Sequence, residues 1–200
     1  MVKTSKNFED LATTLLKELT GRTRDVMERR FGLGARAKRQ TLESIGQVYK
    51  ITRERVRQIE AAAANKMRSS ATFALVKPIF EELEKEFNVR GGLWKEDEIL
   101  SHFAEDTAGK NYVYFFLSLG QPFERLGADP EFYHRWTSDA PNIHETERAI
   151  RNFCKELGDE PMSREGIIER FSNHVESEQN KKLSVETALA WLGVSKNIIS

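Results

Sequence analysis

The chain has 200 residues, of which 39% are hydrophobic and 31% are charged, with a formal net charge of zero. This composition is typical of a soluble, helix-rich protein with one large domain or two to three small ones. No apolar run approaches the roughly 20 residues that span a bilayer, the N-terminus lacks the apolar core of a signal peptide, and the single Cys154 excludes an internal disulfide. We therefore expect a cytoplasmic protein.

The charges are unevenly distributed along the chain. Residues 22–68 hold 13 Lys and Arg against 5 Asp and Glu, a net charge of +8, and the remainder holds 18 basic and 26 acidic residues, a net charge of −8. This distribution predicts that one segment binds phosphate. An ordinary solvated surface explains the acidic remainder, although such a surface could also weaken non-specific DNA binding or contact a basic protein.

Residues 1–20 are predicted to form one amphipathic helix, and residues 21–70 a helix-turn-helix domain. In the second segment a short capped helix begins at Thr41, and a turn opens at Gly46 and closes at Ile51 before a second helix follows. The short helix has three residues at inward spacing: Leu42, Ile45 and Tyr49. Two helices joined by a tight turn form the unit whose second helix enters the major groove of DNA.

The second helix, which follows the predicted N-cap Thr52, has two different faces. At about 100° per residue, its apolar stripe consists of Val56, Ile59 and Ala63. Its polar face consists of Arg53, Glu54, Arg57 and Gln58. Arginine can bond guanine, glutamine can bond adenine, and glutamate can accept from cytosine. The pattern therefore predicts a DNA recognition helix, with an exposed helix of mixed charge as the alternative.

The runs RDVMERRFGLG and QTLESIGQVYKITRERVRQIEAAAANKMR closely resemble region 4 of bacterial sigma-70 family factors, over residues 22–68. The resemblance implies a domain that binds the promoter −35 element in double-stranded DNA. It also implies a possible second partner, the flap of the β subunit of the RNA polymerase core.

Carried over residue by residue, the resemblance implies a set of DNA contacts. Those that read or flank the −35 bases are Arg53, Glu54, Arg57 and Gln58. Arg55 lies at the edge of that surface, where a contact with the DNA backbone is expected. Those expected at the DNA backbone are Arg22, Arg30, Thr41 and Leu42, to which the basic loop GARAKRQ and the N-cap add Arg36, Lys38, Arg39 and Thr52.

The chain departs from the family in two respects. Ala62 and Asn65 occupy positions where the family often carries basic residues that activators contact, which puts activation through that face in doubt. Only about twenty residues precede the matching segment, so we expect no promoter-melting domain and no unaided initiation of transcription.

Residues 73–138 are predicted to form a winged-helix-like unit. A helix over 73–88 contains Pro78, which either kinks the helix or marks its start, and a second helix covers 94–104. Residues 122–136, PFERLGADPEFYHRW, predict a β-hairpin that serves as the wing.

The last unit, 142–200, repeats this order of elements. After a helix over 144–157, MSREGIIERF and VETALAWLG match WKEDEILSHF and YVYFFLSLG at offsets of 68 and 73 residues, with a charged loop between the two later runs. The apolar segment 111–119 fits a strand or a helix by its own pattern, and the match favours a helix. The overall prediction is a mainly α fold, in which a helix-turn-helix domain precedes two small winged-helix-like units.

The run EPMSREGIIERF, placed after a first helix, resembles the HARE-HTH class of small winged helices. This class occurs in the delta subunit of RNA polymerase, in restriction-enzyme assemblies and in chromatin-associated proteins. The sequence ends at Ser200, where the wing of this unit is expected, so we expect a unit that is truncated there or has no wing.

Catalytic and metal-binding patterns are weak in this sequence, and we expect a protein that is not an enzyme and needs no cofactor. The four histidines lack the spacing of zinc ligands: His102, His134, His144 and His174. Cys154 is predicted to lie in a core beside Phe153. The aromatic cluster Phe132, Tyr133 and Trp136 fits the packed underside of a wing better than a base-stacking surface.

Three functions are consistent with the sequence. The first is a nucleoid-associated transcription factor that reads a −35-like element, with its C-terminal units contacting polymerase or another protein. The second is a polymerase-binding regulator, delta-like or competing with sigma factors, with little DNA specificity. The third is a DNA-maintenance or restriction-associated adaptor, which the HARE-HTH resemblance permits.

Overall fold

A computed structural model describes residues 5–36, 38–157 and 162–198. It confirms the predicted fold class, since the described chain is mainly α-helical with one small antiparallel sheet. The helices are α1 (Ser5–Leu16), α2 (Gly21–Phe31), α3 (Leu42–Tyr49), α4 (Arg53–Ser69), α5 (Lys77–Val89), α6 (Glu96–Phe103), α7 (Thr107–Leu119), α8 (Ile143–Glu156), α9 (Arg164–Gln179) and α10 (Val185–Gly193). The strands are β1 (Leu93–Lys95), β2 (Glu124–Leu126) and β3 (Arg135–Thr137), and short 3₁₀ helices cover Ala71–Val76 and Ala140–Asn142.

The chain divides into two compact units. The first contains the residues up to Glu81 together with Leu100–Gly120, and the second contains Glu82–Ile99 together with the residues from Gln121 onward. The boundaries between the units fall inside α5 and α6. Folding of the four predicted segments as separate domains stays a prediction.

Aromatic side chains join α1 to α7 in the first unit. The ring of Phe8 lies 5.8 Å from that of Phe103 and 5.6 Å from that of Phe116, and Phe115 meets Phe31 of α2 edge to face at 5.3 Å. The helix favoured for residues 111–119 is confirmed. Side chains all round α7 are buried, which explains why its sequence is apolar on every side.

The predicted helix-turn-helix consists of α3 and α4. Thr41 caps α3 by accepting a hydrogen bond from the backbone N–H of Ser44 at 3.1 Å, and Thr52 caps α4 by accepting one from Arg55 at the same distance. Both N-caps were predicted from the sequence, because a threonine hydroxyl at this position satisfies an N–H that has no partner within the helix.

The turn between α3 and α4 begins later than predicted. Gly46 lies inside α3 instead of opening the turn, and Lys50 ends the helix in a left-handed conformation with φ of 56°. A Cβ atom on Gly46 would lie 2.7 Å from the carbonyl oxygen of Ile51. The glycine is therefore required because the backbone folds back closely over it.

After α4, the structure shows where helix α5 begins and that a short strand precedes α6. Helix α5 begins at Lys77, so Pro78 marks the start of the helix and does not kink it. The predicted helix over 94–104 is wrong at its first residues, because β1 ends at Lys95 and α6 begins at Glu96. The strand forms because β3, far along the chain, supplies its partner, which a local pattern cannot reveal.

The predicted hairpin is formed by β2 and β3 in the second unit. Leu126 of β2 lies opposite Arg135 of β3, and β1 pairs with the other edge of β3, with Trp94 opposite Trp136. The sheet order is β1-β3-β2. The chain order α5-β1-α6-α7-β2-β3 is consistent with the predicted winged unit.

The three C-terminal helices share one apolar core with residues of the sheet region. Phe153, Phe171 and Trp191 come from α8, α9 and α10 and are fully buried, and Leu93 and Phe132 belong to the same cluster. The three helices therefore depend on one another to bury their apolar side chains.

Helix α9 is longer than predicted. A charged loop was expected after residue 171, yet the helix continues to Gln179 and ends at Asn180 in a left-handed conformation. The buried Val175 keeps this part of the helix on the core, and its charged residues face solvent. Predicting a loop from charge alone was therefore wrong over this stretch.

A buried ion pair connects β3 to α8. The side chains of Arg135 and Glu147 are 4% and 7% exposed, and the Arg135 guanidinium donates to Glu147 Oε1 at 2.9 Å through Nε and at 2.5 Å through Nη2. The same guanidinium also donates to the carbonyl oxygen of Gly127 at 3.1 Å and to Asp129 at 3.3 Å. Removing one partner of such a pair leaves an uncompensated buried charge.

We expect Glu147→Ala to lower the free energy of unfolding of the second unit by about 3 kcal/mol, at the low end for a broken buried pair because Asp129 still accepts from Arg135. Urea denaturation followed by circular dichroism measures the change. The control is Arg148→Ala on the exposed side of α8, which we expect to change the free energy by less than about 0.5 kcal/mol. Equal effects of the two variants would contradict a stabilising role for the buried pair.

Candidate nucleic-acid interface

The four residues predicted to read bases lie together on an exposed face of α4. We call Arg53, Glu54, Arg57 and Gln58 the reading surface. All four side chains are exposed, and they lie in the first two turns of α4, directly after the Thr52 cap. Side chains at this end of a recognition helix are those that usually contact base edges.

The members of the reading surface are bonded to each other. Arg57 donates to both carboxylate oxygens of Glu54 at 2.8 Å, and Gln58 donates to Glu54 at 3.5 Å. Arg55, beside the reading surface, donates to Gln58 at 3.0 Å. These bonds are solvent-exposed and therefore weak, so their exchange for bonds to DNA is not costly.

The pairing of Glu54 with Arg57 also favours the ionised form of both side chains. Hydrogen bonds from Arg57 lower the pKa of Glu54, and the Glu54 carboxylate raises the pKa of Arg57. Both groups are therefore ionised at neutral pH, as base recognition by a guanidinium donor and a carboxylate acceptor requires.

A small apolar core fixes the position of α4. Val26 of α2, Ile45 of α3 and Val56 of α4 are fully buried against one another. The predicted inward residues of α3 and α4 pack around them: Leu42, Tyr49 and Ile59. Ala63, predicted on the same stripe, is buried as well.

Asp25 is the polar centre of this scaffold, which the sequence did not reveal. Its carboxylate accepts a short hydrogen bond from the hydroxyl of Tyr49, at the end of α3. It also accepts from Arg29 at 2.7 Å and from Arg36 at 2.5 Å. A single acidic group thus joins α2, the end of α3 and the basic loop.

The pKa of Asp25 reflects these contacts. Burial by itself would raise this pKa, but the hydrogen bonds from Tyr49 and Arg29, with the charges of Arg29 and Arg36, outweigh burial and lower it. Burial and the Asp25 hydrogen bond together raise the pKa of Tyr49. Asp25 therefore stays ionised and Tyr49 stays protonated over the whole physiological range.

Five of the six basic residues expected at the DNA backbone lie on α2 or in the basic loop, and their surroundings differ. Arg30 donates to Glu60 at 3.1 Å and to the carbonyl oxygen of Gln40 at 3.2 Å, and Arg36 is paired with Asp25. In contrast, Arg22 and Arg39 stack on tyrosine rings, with Cζ 4.5 Å from the Tyr49 centroid and 4.0 Å from the Tyr114 centroid. The fifth, Lys38, is exposed.

The remaining predicted backbone contacts lie at the N-termini of the two helices. Thr41 and Thr52 are exposed caps, and Leu42 is half-buried. Arg55 is exposed in the first turn of α4. All these positions lie on the helix-turn-helix, and their contacts with DNA stay predictions.

The candidates for metal binding and thiol chemistry in this sequence are its histidine, acidic and cysteine side chains. Among the described residues, no three or more His, Cys, Asp or Glu side chains form a group that could hold a metal ion. Cys154 is half-buried against the core of the second unit, and burial raises the pKa of its thiol. Within the described ranges, no helix is long and apolar enough to cross a membrane.

Comparison with known proteins supports the assignment of this segment. The family model "Sigma-70, region 4" matches residues 15–69. These residues form a sigma-70 region 4 domain. The match includes all of the segment 22–68 that was identified from its sequence, and it extends into the end of α1. The HARE-HTH likeness of the last unit stays a prediction.

Curated relatives match the same part of the chain. The RNA polymerase sigma factor SigA of Microcystis aeruginosa is 45% identical over 75 residues, which are 36% of this chain and 18% of the relative. SigA of Nostoc sp. is 50% identical over 66 residues, 32% of this chain and 16% of the relative. SigA of Listeria monocytogenes is 42% identical over 67 residues, which are 34% of this chain and 18% of the relative. The matched part spans less than a fifth of these relatives.

We expect Asp25→Asn to lower the free energy of unfolding of the first unit by about 1–2 kcal/mol at pH 7, because the bonds from Tyr49, Arg29 and Arg36 lose an ionised acceptor. A folded-state pKa below the usual value of about 3.9 stabilises the folded protein above that pH and ceases to do so as pH falls through the folded-state pKa. The difference between wild type and variant should therefore shrink from pH 7 to pH 3, measured by urea denaturation.

The matched control for this prediction is Asp10→Asn on the exposed side of α1. It should differ little from wild type at either pH. A loss at Asp25→Asn that is equally large at pH 3 and pH 7 would show that the ionised carboxylate is not the source of the stability.

Proposed function

We propose that this protein binds double-stranded DNA sequence-specifically in transcription, and that its reading surface recognises a promoter element of the −35 type. One observation carries the proposal. Within a sigma-70 region 4 domain, a capped helix exposes Arg53, Glu54, Arg57 and Gln58 together, held by a core of three buried side chains.

Specificity is assigned to the reading surface because its groups match base edges. An arginine released from Glu54 can bond a guanine through two N–H groups, and the freed carboxylate can accept from a cytosine. Gln58 can form the paired donor and acceptor contact with adenine. Each good bidentate contact is worth about 1–3 kcal/mol of discrimination.

Affinity is assigned to the basic residues around the reading surface. Residues 22–68 carry a net charge of +8, and neutralising phosphates releases counterions, so binding should weaken steeply as salt rises. Arg22, Lys38 and Arg39 are exposed and fit this role. Relatives named as RNA polymerase sigma factors support RNA polymerase as a second partner. The β-subunit flap is the docking site that the resemblance to region 4 implies.

A regulator that binds polymerase with little DNA specificity is the second candidate. The observation that favours it is the net charge of −8 outside residues 22–68, which would oppose DNA and suit a basic protein surface. Co-purification with core polymerase that survives loss of the charges at 53–58 would support this function over the first.

We expect Arg57→Ala to lower the preference for a −35-like duplex over a scrambled duplex by roughly tenfold or more, because one bidentate contact is lost. Lys38→Ala should weaken binding to both duplexes alike, since a phosphate contact carries no sequence information. Fluorescence anisotropy with the two labelled duplexes at two salt concentrations measures both effects.

Arg57→Ala and Lys38→Ala serve as controls for each other, because each removes one positive charge from the same domain. If both variants lost equal affinity for both duplexes, base reading by Arg57 would be wrong. A wild-type protein without preference between the duplexes would overturn the proposed sequence specificity and favour polymerase as the main partner.

A further inference from the structure

Hydrogen bonds to α7 and α2 hold the two ends of the basic loop between α2 and α3. At its start, Asn111 of α7 donates to the carbonyl oxygen of Gly32 at 3.1 Å, and the N–H of Gly34 donates to the hydroxyl of Tyr112 at 3.1 Å. At its end, the N–H of Gln40 donates to the carbonyl oxygen of Arg29 in α2 at 2.9 Å. The backbone on both sides of the loop cations is therefore fixed.

Helix α7 also provides an aromatic surface under one loop cation. Tyr114 is 8% exposed, and its ring lies 6.2 Å from that of Phe31, centroid to centroid. The exposed Arg39 stacks on this ring with Cζ 4.0 Å from the centroid. Because the Tyr114 ring is buried, it cannot move together with the Arg39 guanidinium. The ring therefore limits the positions that the guanidinium adopts.

Stacking and ion pairing use different parts of a guanidinium. The N–H donors of arginine lie in its plane, whereas an aromatic ring contacts its face. Arg39 therefore keeps donors for a phosphate while its face rests on Tyr114. Arg36, three residues earlier in the sequence, instead donates through Nη2 to Asp25.

We infer that Tyr114 is a positioning residue, which holds the Arg39 guanidinium over its ring so that the in-plane N–H groups bind a DNA phosphate. This inference rests on the proposed function. It assigns to α7, which lies outside the region 4 match at residues 15–69, a part in DNA binding without any contact to DNA.

The salt dependence of DNA binding tests this role, because the slope of log K against log salt falls by about 0.9 for each phosphate contact that is lost. Arg39→Ala should reduce the slope by about this amount on −35-like and scrambled duplexes alike. Tyr114→Leu should reduce it nearly as much, and Tyr114→Phe, which keeps the aromatic face, should retain the wild-type slope. A merely structural role for Tyr114 would not change the number of phosphate contacts.

Two further variants sharpen the test. The double variant Tyr114→Leu/Arg39→Ala should show the slope of Arg39→Ala alone, since coupled residues are not additive. Tyr133→Leu in the second unit is the matched tyrosine control and should retain the wild-type slope. The Lys95 ammonium lies over the Tyr133 ring, 4.1 Å from its centroid. If circular dichroism shows that Tyr114→Leu does not fold, Tyr114→Met, which adapts to irregular space without an aromatic face, takes its place.

The possible failures are distinguishable. A wild-type slope in Tyr114→Leu, a slope in Tyr114→Phe as low as in Tyr114→Leu, or additive losses in the double variant would each overturn the inference and leave the proposed function intact. A wild-type protein that binds neither duplex would overturn the proposed function and the inference with it.

Discussion

The contact between three small apolar side chains determines what the helix-turn-helix presents to DNA. Val26, Ile45 and Val56 come from three different helices and form one fully buried cluster. Because α4 is fixed along this stripe, its opposite face must point outward. The same packing demands the close backbone turn over Gly46, where a Cβ atom would meet the carbonyl oxygen of Ile51.

Charged groups around this core fall into three kinds of environment. Glu54 and Arg57 are paired at the exposed surface, where each side chain can exchange the pair for other partners at little cost. Asp25 collects a hydroxyl and two guanidinium groups within the scaffold, which ties the basic loop to the end of α3. Stacked arginines such as Arg39 keep their hydrogen-bond donors available. Nearby cations therefore differ in their contacts, although their residue types are the same.

In the second unit, helix packing and a buried ion pair support a small sheet. Its sheet is too small to bury much surface, since each strand has three residues. The three C-terminal helices supply most of the core, and the buried pair of Arg135 and Glu147 connects them to β3. A paired and fully bonded charge is tolerated there because its partners satisfy its donors.

The sequence by itself determined the local and periodic features of this protein. Thr41 and Thr52 could be identified as caps, the polar face of α4 follows from its 100° spacing, and the region 4 domain is recognisable from its residues, since all these depend on neighbours within one or two turns. The hairpin and the mainly α fold class follow from local patterns in the same way.

Only the tertiary structure decided features that need partners distant in the chain. Strand β1 exists because β3 pairs with it, and α9 continues because Val175 packs in the core of the second unit. The role of Asp25 and the stacking of Arg39 on Tyr114 likewise join segments that local periodicity treats separately. Sequence spacing describes one helix at a time, whereas packing between helices selects which cations are paired and which remain available for phosphate.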